Sequence, residues 1–164
     1  MKIISGGQTG VDRAALDVAI ERGMSWGGWC PNGGWAEDLP NPPGLLNKYP
    51  KLTETPLRQP GQRTEWNVRD SDAILIITDR DGLAVSRGTK RAQEWAGHCG
   101  KPLLVVDAGQ SDAAAQIARW LQAQRQRFGE RMALGVGGPR ESEAPGIYTS
   151  SRELIAGVLD HVQR

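Results

Sequence analysis

The stretch Ile3-Ile4-Ser5-Gly6-Gly7-Gln8-Thr9-Gly10-Val11-Asp12 decides the fold. Two β-branched residues lead into a glycine-rich turn, and the helical pattern Ala14-Ala15-Leu16-Asp17-Val18-Ala19-Ile20 follows. Strand, tight turn and helix start, in that order, open an α/β unit. Glycines let the backbone turn sharply and approach a ligand with no Cβ in the way. The helix N-terminus adds unpaired N–H groups and about half a positive charge. Together they form a place for phosphate or another anion. The spacing is close to G-x-G-x-x-G at positions 5, 7 and 10, with Ser5 replacing the first glycine. No Gly-Lys-Ser/Thr follows, so this is not a P-loop. No acidic residue stands about 20 positions on to hold a dinucleotide ribose; Cys30-Pro31-Asn32 occupies that region. The competing reading is a structural turn, with Thr9 as N-cap and Asp12 completing a capping box. Asp12 could also fill the positive helix end itself.

The same alternation continues outward from this unit. The first helix should run from Gly10 to Arg22 with Gly23 as its cap. Ser25–Cys30 reads as a short strand despite Gly27 and Gly28. From Pro31 to Arg63 seven prolines (31, 40, 42, 43, 50, 56, 60) break regular structure. A loop of that length is an irregular flap over a sheet edge, or a lid over the glycine turn with Asn32, Gly33, Glu37 and Asp38 near its start. Thr64–Asp70 reads as a short helix or turn carrying Asn67 just after Arg63. Ala73-Ile74-Leu75-Ile76-Ile77 is the mark of a strand buried on both faces, as in a parallel sheet. Beyond it, Ser86-Arg87-Gly88-Thr89 leads into a helix expected over Thr89–Cys99, where Arg87 or Lys90 could pair with an anion. Lys101–Asp107 is another buried strand. Ser111–Asp112 opens a helix with Ile117, Trp120, Leu121 and Phe128 on its apolar stripe, capped by Gly129. A further strand at Met132–Val136 precedes Gly137-Gly138-Pro139-Arg140-Glu141-Ser142. The last helix has Ser150 and Glu153 as a capping box and Leu154, Ile155, Val158, Leu159 and Val162 as its core face.

The order predicts an α/β, doubly wound, mainly parallel sheet of about five strands. In such sheets ligands bind beyond the carboxyl ends of the strands, at the topological switch point. Three candidate loops follow strands: Gly6–Asp12, Ser86–Thr89 and Gly137–Ser142. Parallel strands would bring all three to one edge, which points to a shared site for an anionic ligand.

Length and charge bound the rest. A chain of 164 residues is one domain by default and can bury a sizeable core unaided. A net charge of +1 gives no basic field to attract nucleic acid. No apolar run approaches the ~20 residues of a membrane helix, and Met1–Gly7 lacks the apolar length of a signal peptide. Cys30 and Cys99 stand far apart and in no C-x-x-C pair, which points to the reducing cytoplasm. His98 and His161 belong to no cluster at metal-ligand spacing, so no protein-ligated metal is expected. Six tryptophans against one phenylalanine suggest packing, with some indoles left to line a pocket or an interface.

The motifs also resemble a known family. Ser-Gly-Gly-Gln-Thr-Gly-Val-Asp-Arg-Ala-Ala-Leu-Asp at 5–17 is similar to the opening of the putative molybdenum carrier family. So are the segments Gly-Gly-Trp-Cys-Pro-Asn-Gly with Ala-Glu-Asp (27–38), Tyr-Pro-Lys-Leu-Thr-Glu-Thr-Pro (49–56) and Arg-Thr-Glu-Trp-Asn-Val-Arg-Asp-Ser-Asp-Ala (63–73). Gly-Lys-Pro-Leu-Leu-Val-Val-Asp (100–107) and Gly-Pro-Arg-Glu-Ser with Pro-Gly-Ile-Tyr (138–148) complete a resemblance over nearly the whole chain. It implies one Rossmann-like ligand-binding domain over 1–164 with a Pro-rich flap at 31–63. The family is related to the lysine-decarboxylase-like phosphoribohydrolases and to nucleotide-sensing Rossmann proteins. Its name comes from similarity to an algal protein that binds the molybdenum cofactor, a pterin that carries a phosphate.

The resemblance thus implies a carrier of the molybdenum cofactor (molybdopterin) or a nucleotide-binding protein, in the cytoplasm and as a homo-oligomer, dimer or tetramer. Gly6, Gly7, Gln8, Thr9 and Gly10 would hold the phosphate; Gly88 and Thr89 would form a second wall. Arg87, Arg140 and Ser142 would complete the anion site, with Asn32, Gly33, Glu37, Asp38, Arg63 and Asn67 as a pocket wall. The partner expected is a phosphorylated small molecule, with neither nucleic acid nor membrane. The alternative is an N-glycosidic hydrolase of nucleoside monophosphates, using Glu94, Glu37 or Asp38 with Arg87. Two departures bear on it: Arg87 replaces the first glycine of the family's Gly-Gly-Thr, and Glu94 falls two positions later than the hydrolases' Pro-Gly-Gly-x-Gly-Thr-x-x-Glu requires.

Overall fold

Every strand of the sheet runs the same way. A computed structural model describes residues 1–162. In chain order the elements are β1 (Lys2–Ile4), α1 (Val11–Glu21), β2 (Ser25–Cys30), α2 (Leu45–Lys48), β3 (Leu52–Glu54) and α3 (Pro60–Arg69). There follow β4 (Ala73–Thr78), α4 (Gly82–Val85), α5 (Arg87–His98), β5 (Leu103–Asp107), α6 (Ala113–Phe128), β6 (Ala133–Gly137) and α7 (Ile147–Val162). The strands lie in the order β3-β2-β1-β6-β4-β5, and every pairing is parallel.

The expected α/β doubly wound sheet is therefore present, with six strands in place of about five. Steps from β1 to β2 and from β5 to β6 move toward one edge, and steps from β3 to β4 to β5 move toward the other. Right-handed crossovers in opposite directions need opposite faces, and the core divides that way. In β4, Leu75 and Ile77 join the large cluster with Val18 of α1, Ile117 of α6 and Ile155 of α7. Ile74 and Ile76, one position out of phase, join Val68 of α3 and Ala96 of α5 in a small cluster. All six β4 residues are buried, as period-two alternation between two covered faces requires. Each buried Leu or Ile contributes roughly 1.5–3 kcal/mol.

The segment from Pro31 to Arg63 departs most from expectation. It holds α2 and the edge strand β3, which pairs through Leu52, Thr53 and Glu54 with Gly28, Trp29 and Cys30. Pro60 does not break structure here: it stands at the start of α3, where its missing N–H has no partner to lose. Leu45, Tyr49 and Ala36 are buried in the large cluster, so this flap packs as part of the body. Asp17 of α1 ties it down, accepting from the Tyr49 hydroxyl at 2.6 Å and from the Tyr148 hydroxyl at 2.8 Å.

Three helix starts also differ. Thr9 does not cap α1; Gly10 does, with φ 80° and no side-chain cap bond. Arg87, Gly88 and Thr89 form the first turn of α5 rather than a loop ahead of it, because Ser86 takes the N-cap and accepts from the Thr89 N–H. Ser150 and Glu153 lie inside α7, not at its start. The cap there is Glu141, whose carboxylate accepts from the N–H groups of Gly146 and Tyr148. Val158 and Leu159 face the core as expected; the side chains of His161 and Val162 lie outside the described residues. Among the described residues no helix is long and apolar enough to cross a membrane.

Candidate functional site

Two of the protein's own carboxylates, Asp12 and Glu37, stand at the glycine turn after β1. Asp12 stands in the first turn of α1 and is buried, and Arg63 of α3 donates to it at 2.9 Å. Burial pushes the Asp12 carboxyl up, opposed by the Arg63 charge and by hydrogen bonds from the Gln8 and Gly138 amides. The positive end of α1 is thus occupied from within.

Glu37, from the flap, is the second of these carboxylates. Its carboxylate accepts from the Thr9 hydroxyl, from the Ser142 hydroxyl at 2.6 Å and from the Ser142 N–H at 3.3 Å. Arg140 approaches it to 3.5 Å. Burial works to raise the Glu37 carboxyl, but the hydrogen bonds from Ser142 and Thr9, with the Arg140 charge, hold it below the usual range. Its neighbour Asp38 takes both terminal nitrogens of Arg13, at 2.8 and 2.9 Å. Those bonds outweigh burial and keep the Asp38 carboxyl low. Arg13 in turn donates to the Gly7 carbonyl at 3.0 Å.

Thr9, Arg140 and Ser142 therefore meet around the Glu37 carboxylate of this chain. Gly10 is required by packing: a Cβ there would run into the Pro139 carbonyl oxygen, at a φ that side chains rarely adopt. A Cβ at Gly7 would stand 3.0 Å from Leu52. Asn32 and Gly33 belong to the flap's own hydrogen bonding, Asn32 N–H to Leu57 and Gly33 N–H to Glu54, and neither lines the cleft described next.

That cleft, of about 700 Å³, opens between α3 and α5 over the thinly covered face of the sheet. Ile4, Ile74, Ile76 and two glycines of β6 make its floor. Arg63 and Asn67 wall it from α3; Arg87, Gly88, Thr89, Lys90, Arg91 and Glu94 wall it from α5. Gly6, Gln8, Trp35 and Arg140 also line it. The Asn67 amide is spent on β2, bonding the Trp29 N–H at 2.8 Å and the Trp29 carbonyl at 2.9 Å.

The start of α5 is different. Ser86 satisfies the Thr89 N–H and bonds the Thr89 hydroxyl at 2.7 Å. Among the described residues the N–H groups of Arg87 and Gly88 have no partner, and Arg87, Lys90 and Arg91 form no ion pair. A Cβ at Gly88 would meet nothing within 4 Å.

Of the expected site residues, Gly6, Gln8, Arg63, Asn67, Arg87, Gly88, Thr89 and Arg140 share the cleft. Gly7, Thr9, Gly10, Asn32, Gly33, Glu37, Asp38 and Ser142 do not. Sequence reasoning missed Arg91 and Glu143. Arg91 stands four positions after Arg87, on one face of a helix. Glu143 stands three after Arg140, whose N–H and guanidinium it accepts at 2.9 and 3.0 Å. Among the described residues no three His, Cys, Asp or Glu side chains form a metal-binding group.

Comparison with known proteins agrees with this architecture. Residues 3–159 match the family described as the circularly permutated YpsA SLOG family. The chain is also similar to a crystal structure titled a putative molybdenum carrier protein, from Syntrophus aciditrophicus SB. Identity is 38%, over 96% of this chain and 94% of that one, with a TM-score of 0.82. No protein of curated function matches. The permutation is visible in the sheet, where the last strand, β6, lies at the centre between β1 and β4. Read from β6, the strands run outward in sequence order from the middle, as in an ordinary doubly wound fold. The chain belongs to the circularly permutated YpsA SLOG family, and with it to the molybdenum carrier group that its motifs resemble.

Proposed function

We propose that the protein binds a phosphorylated small molecule in the α3–α5 cleft, with the phosphate at the start of α5 and the ring toward Trp35. One observation carries this reading. Asp12 brings a negative charge into the first turn of α1 and pairs there with Arg63, whereas the α5 terminus opens onto the cleft with, among the described residues, two free N–H groups and three unpaired cations beside it. Backbone donors, helix polarity and basic side chains together favour a phosphate there. A cleft of about 700 Å³ is of the size that holds a nucleotide-sized ligand. Stacking on Trp35 would add roughly 0.5–1.5 kcal/mol.

A nucleotide and the phosphorylated pterin of the molybdenum cofactor both meet this description. The cofactor would be cargo, held through its phosphate by Gly88, Thr89 and Arg87. Cleavage of an N-glycosidic bond is the weaker reading, because Glu37 and Asp38 are committed elsewhere and only Glu94 of its candidate carboxylates lines the cleft.

Native mass spectrometry of the purified protein, followed by denaturing release, tests the reading. A released phosphorylated pterin supports the carrier role and a released nucleotide the sensor role. If the protein emerges empty, and neither nucleotides nor phosphorylated pterins shift its Tm, the proposal fails.

A further inference from the structure

Glu37 is a flap residue whose carboxylate is ringed by donors from two other loops. The Thr9 hydroxyl and the Ser142 hydroxyl and N–H donate to its two oxygens, and the Arg140 guanidinium, hydrogen-bonded to Glu143, stands 3.5 Å from one of them. That is the donor set of an oxyanion site: two hydroxyls, one backbone amide and one cation. The turn that carries Glu37 holds its shape without this side chain. The Glu37 N–H donates to the Gln8 side-chain oxygen at 3.0 Å. Ala36 and Leu39 exchange backbone bonds at 3.2 and 3.0 Å. Asp38 is locked to Arg13.

We propose that Thr9, Arg140 and Ser142 form an anion subsite that Glu37 fills as a tethered carboxylate, and that a free oxyanion enters by displacing this one side chain. The displacement is a rotation about side-chain bonds, with residues 36–39 left in place. A tethered carboxylate competes as an intramolecular ligand at an effective concentration in the millimolar range, so it excludes weak anions and yields to strong ones. The subsite is distinct from the phosphate position at α5 and does not depend on it. Glu143, which lines the cleft, accepts from Arg140 beside the subsite.

The test is a titration with inorganic phosphate, followed through the amide signals of Ser142 and Gly88 by NMR, in the wild type, Glu37→Ala and Glu37→Gln. Removing the competitor should tighten phosphate binding at Ser142 by about tenfold or more. Adding Arg140→Ala to Glu37→Ala should abolish the gain, and amide exchange at residues 36–39 should stay slow throughout. If Glu37→Ala does not fold, Glu37→Gln keeps the side chain's shape while losing its charge, and should show a gain in the same direction. Equal affinity in all three proteins overturns the proposal, as does a gain that survives Arg140→Ala. Faster exchange at 36–39 on phosphate binding overturns displacement of the side chain alone. Signals that move only at Gly88 sustain the α5 phosphate position and sink the subsite; signals that move only at Ser142 do the reverse.

Discussion

The turn after β1 and the first turn of α5 both place glycine at a helix start, and they have opposite fates. At the first, Gly10 is pressed against the Pro139 carbonyl and Asp12 puts a carboxylate, paired with Arg63, into the first turn. At the second, Gly88 faces open space and the Ser86 cap takes up only the Thr89 N–H. Both motifs border the cleft, the richer one through Gly6 and Gln8, but only the poorer one turns toward it a helix start with no acidic residue in its first turn. A glycine-rich turn signals close approach of something to the backbone; it does not say whether that something is a ligand or another part of the chain.

Paired substitutions would break this contrast most directly. Gly10→Val combines a backbone clash with a strained φ and should cost at least about 4 kcal/mol. Gly88→Val occupies a helical position with free space around it and should change stability by less than about 1 kcal/mol. It should nonetheless abolish binding of the phosphorylated ligand by covering the open N–H groups. Urea unfolding with ligand titration on each variant decides the matter; comparable loss of stability in both would end the distinction.

The Asp12–Arg63 pair sharpens the comparison next. Arg63→Met leaves a buried carboxyl without its cation and should cost about 3 kcal/mol. Adding Asp12→Ala to Arg63→Met should recover part of that loss, since burying neither charge is cheaper than burying one. A double variant no more stable than Arg63→Met would mean that Asp12 does more than balance the arginine.

The smallest effect concerns the flap. Asp38→Asn should cost about 1 kcal/mol at neutral pH, because the Asp38 carboxylate is half exposed while Arg13 beneath it is buried and keeps its bond to the Gly7 carbonyl. Its pH dependence carries more information. The folded-state pKa of Asp38 lies below the ordinary 3.8, so its contribution is whole above that pH and fades as pH falls through the folded value. Asp12, raised by burial, contributes with the opposite sign: it favours the unfolded state as pH rises. The stability difference between wild type and Asp38→Asn should therefore shrink below about pH 4, as measured by urea midpoints across the pH range.

Much of the fold was legible because it rests on local signals. The Ala73–Ile77 run announced a doubly buried strand through composition alone, and the Ser5–Asp12 turn announced a βα unit. β3 was not legible: three residues with no distinctive pattern become a strand only by pairing with β2. The start of α3 was hidden by reading Pro60 as a breaker, when proline also begins helices. The caps failed for a related reason. Ser150 and Glu153 had capping-box spacing, but Glu141 reaches the start of α7 from six residues before it, and local spacing cannot register such a reach.

The sequence by itself determined the α/β alternation, the parallel sheet and the strand ends on which glycine and basic residues cluster. Those features follow from periodicity and from the backbone preferences of single residues. Only the tertiary structure decided that β6 sits at the centre, that Asp12 pairs with Arg63 and Glu37 with Thr9 and Ser142 at the first glycine turn, and that Arg87 and Gly88 face an open cleft. These depend on which distant segments arrive at the same place. Whether a donor is free or already satisfied is a property of its neighbours in space, and Glu37 is 28 residues away in sequence from the Thr9 hydroxyl it satisfies.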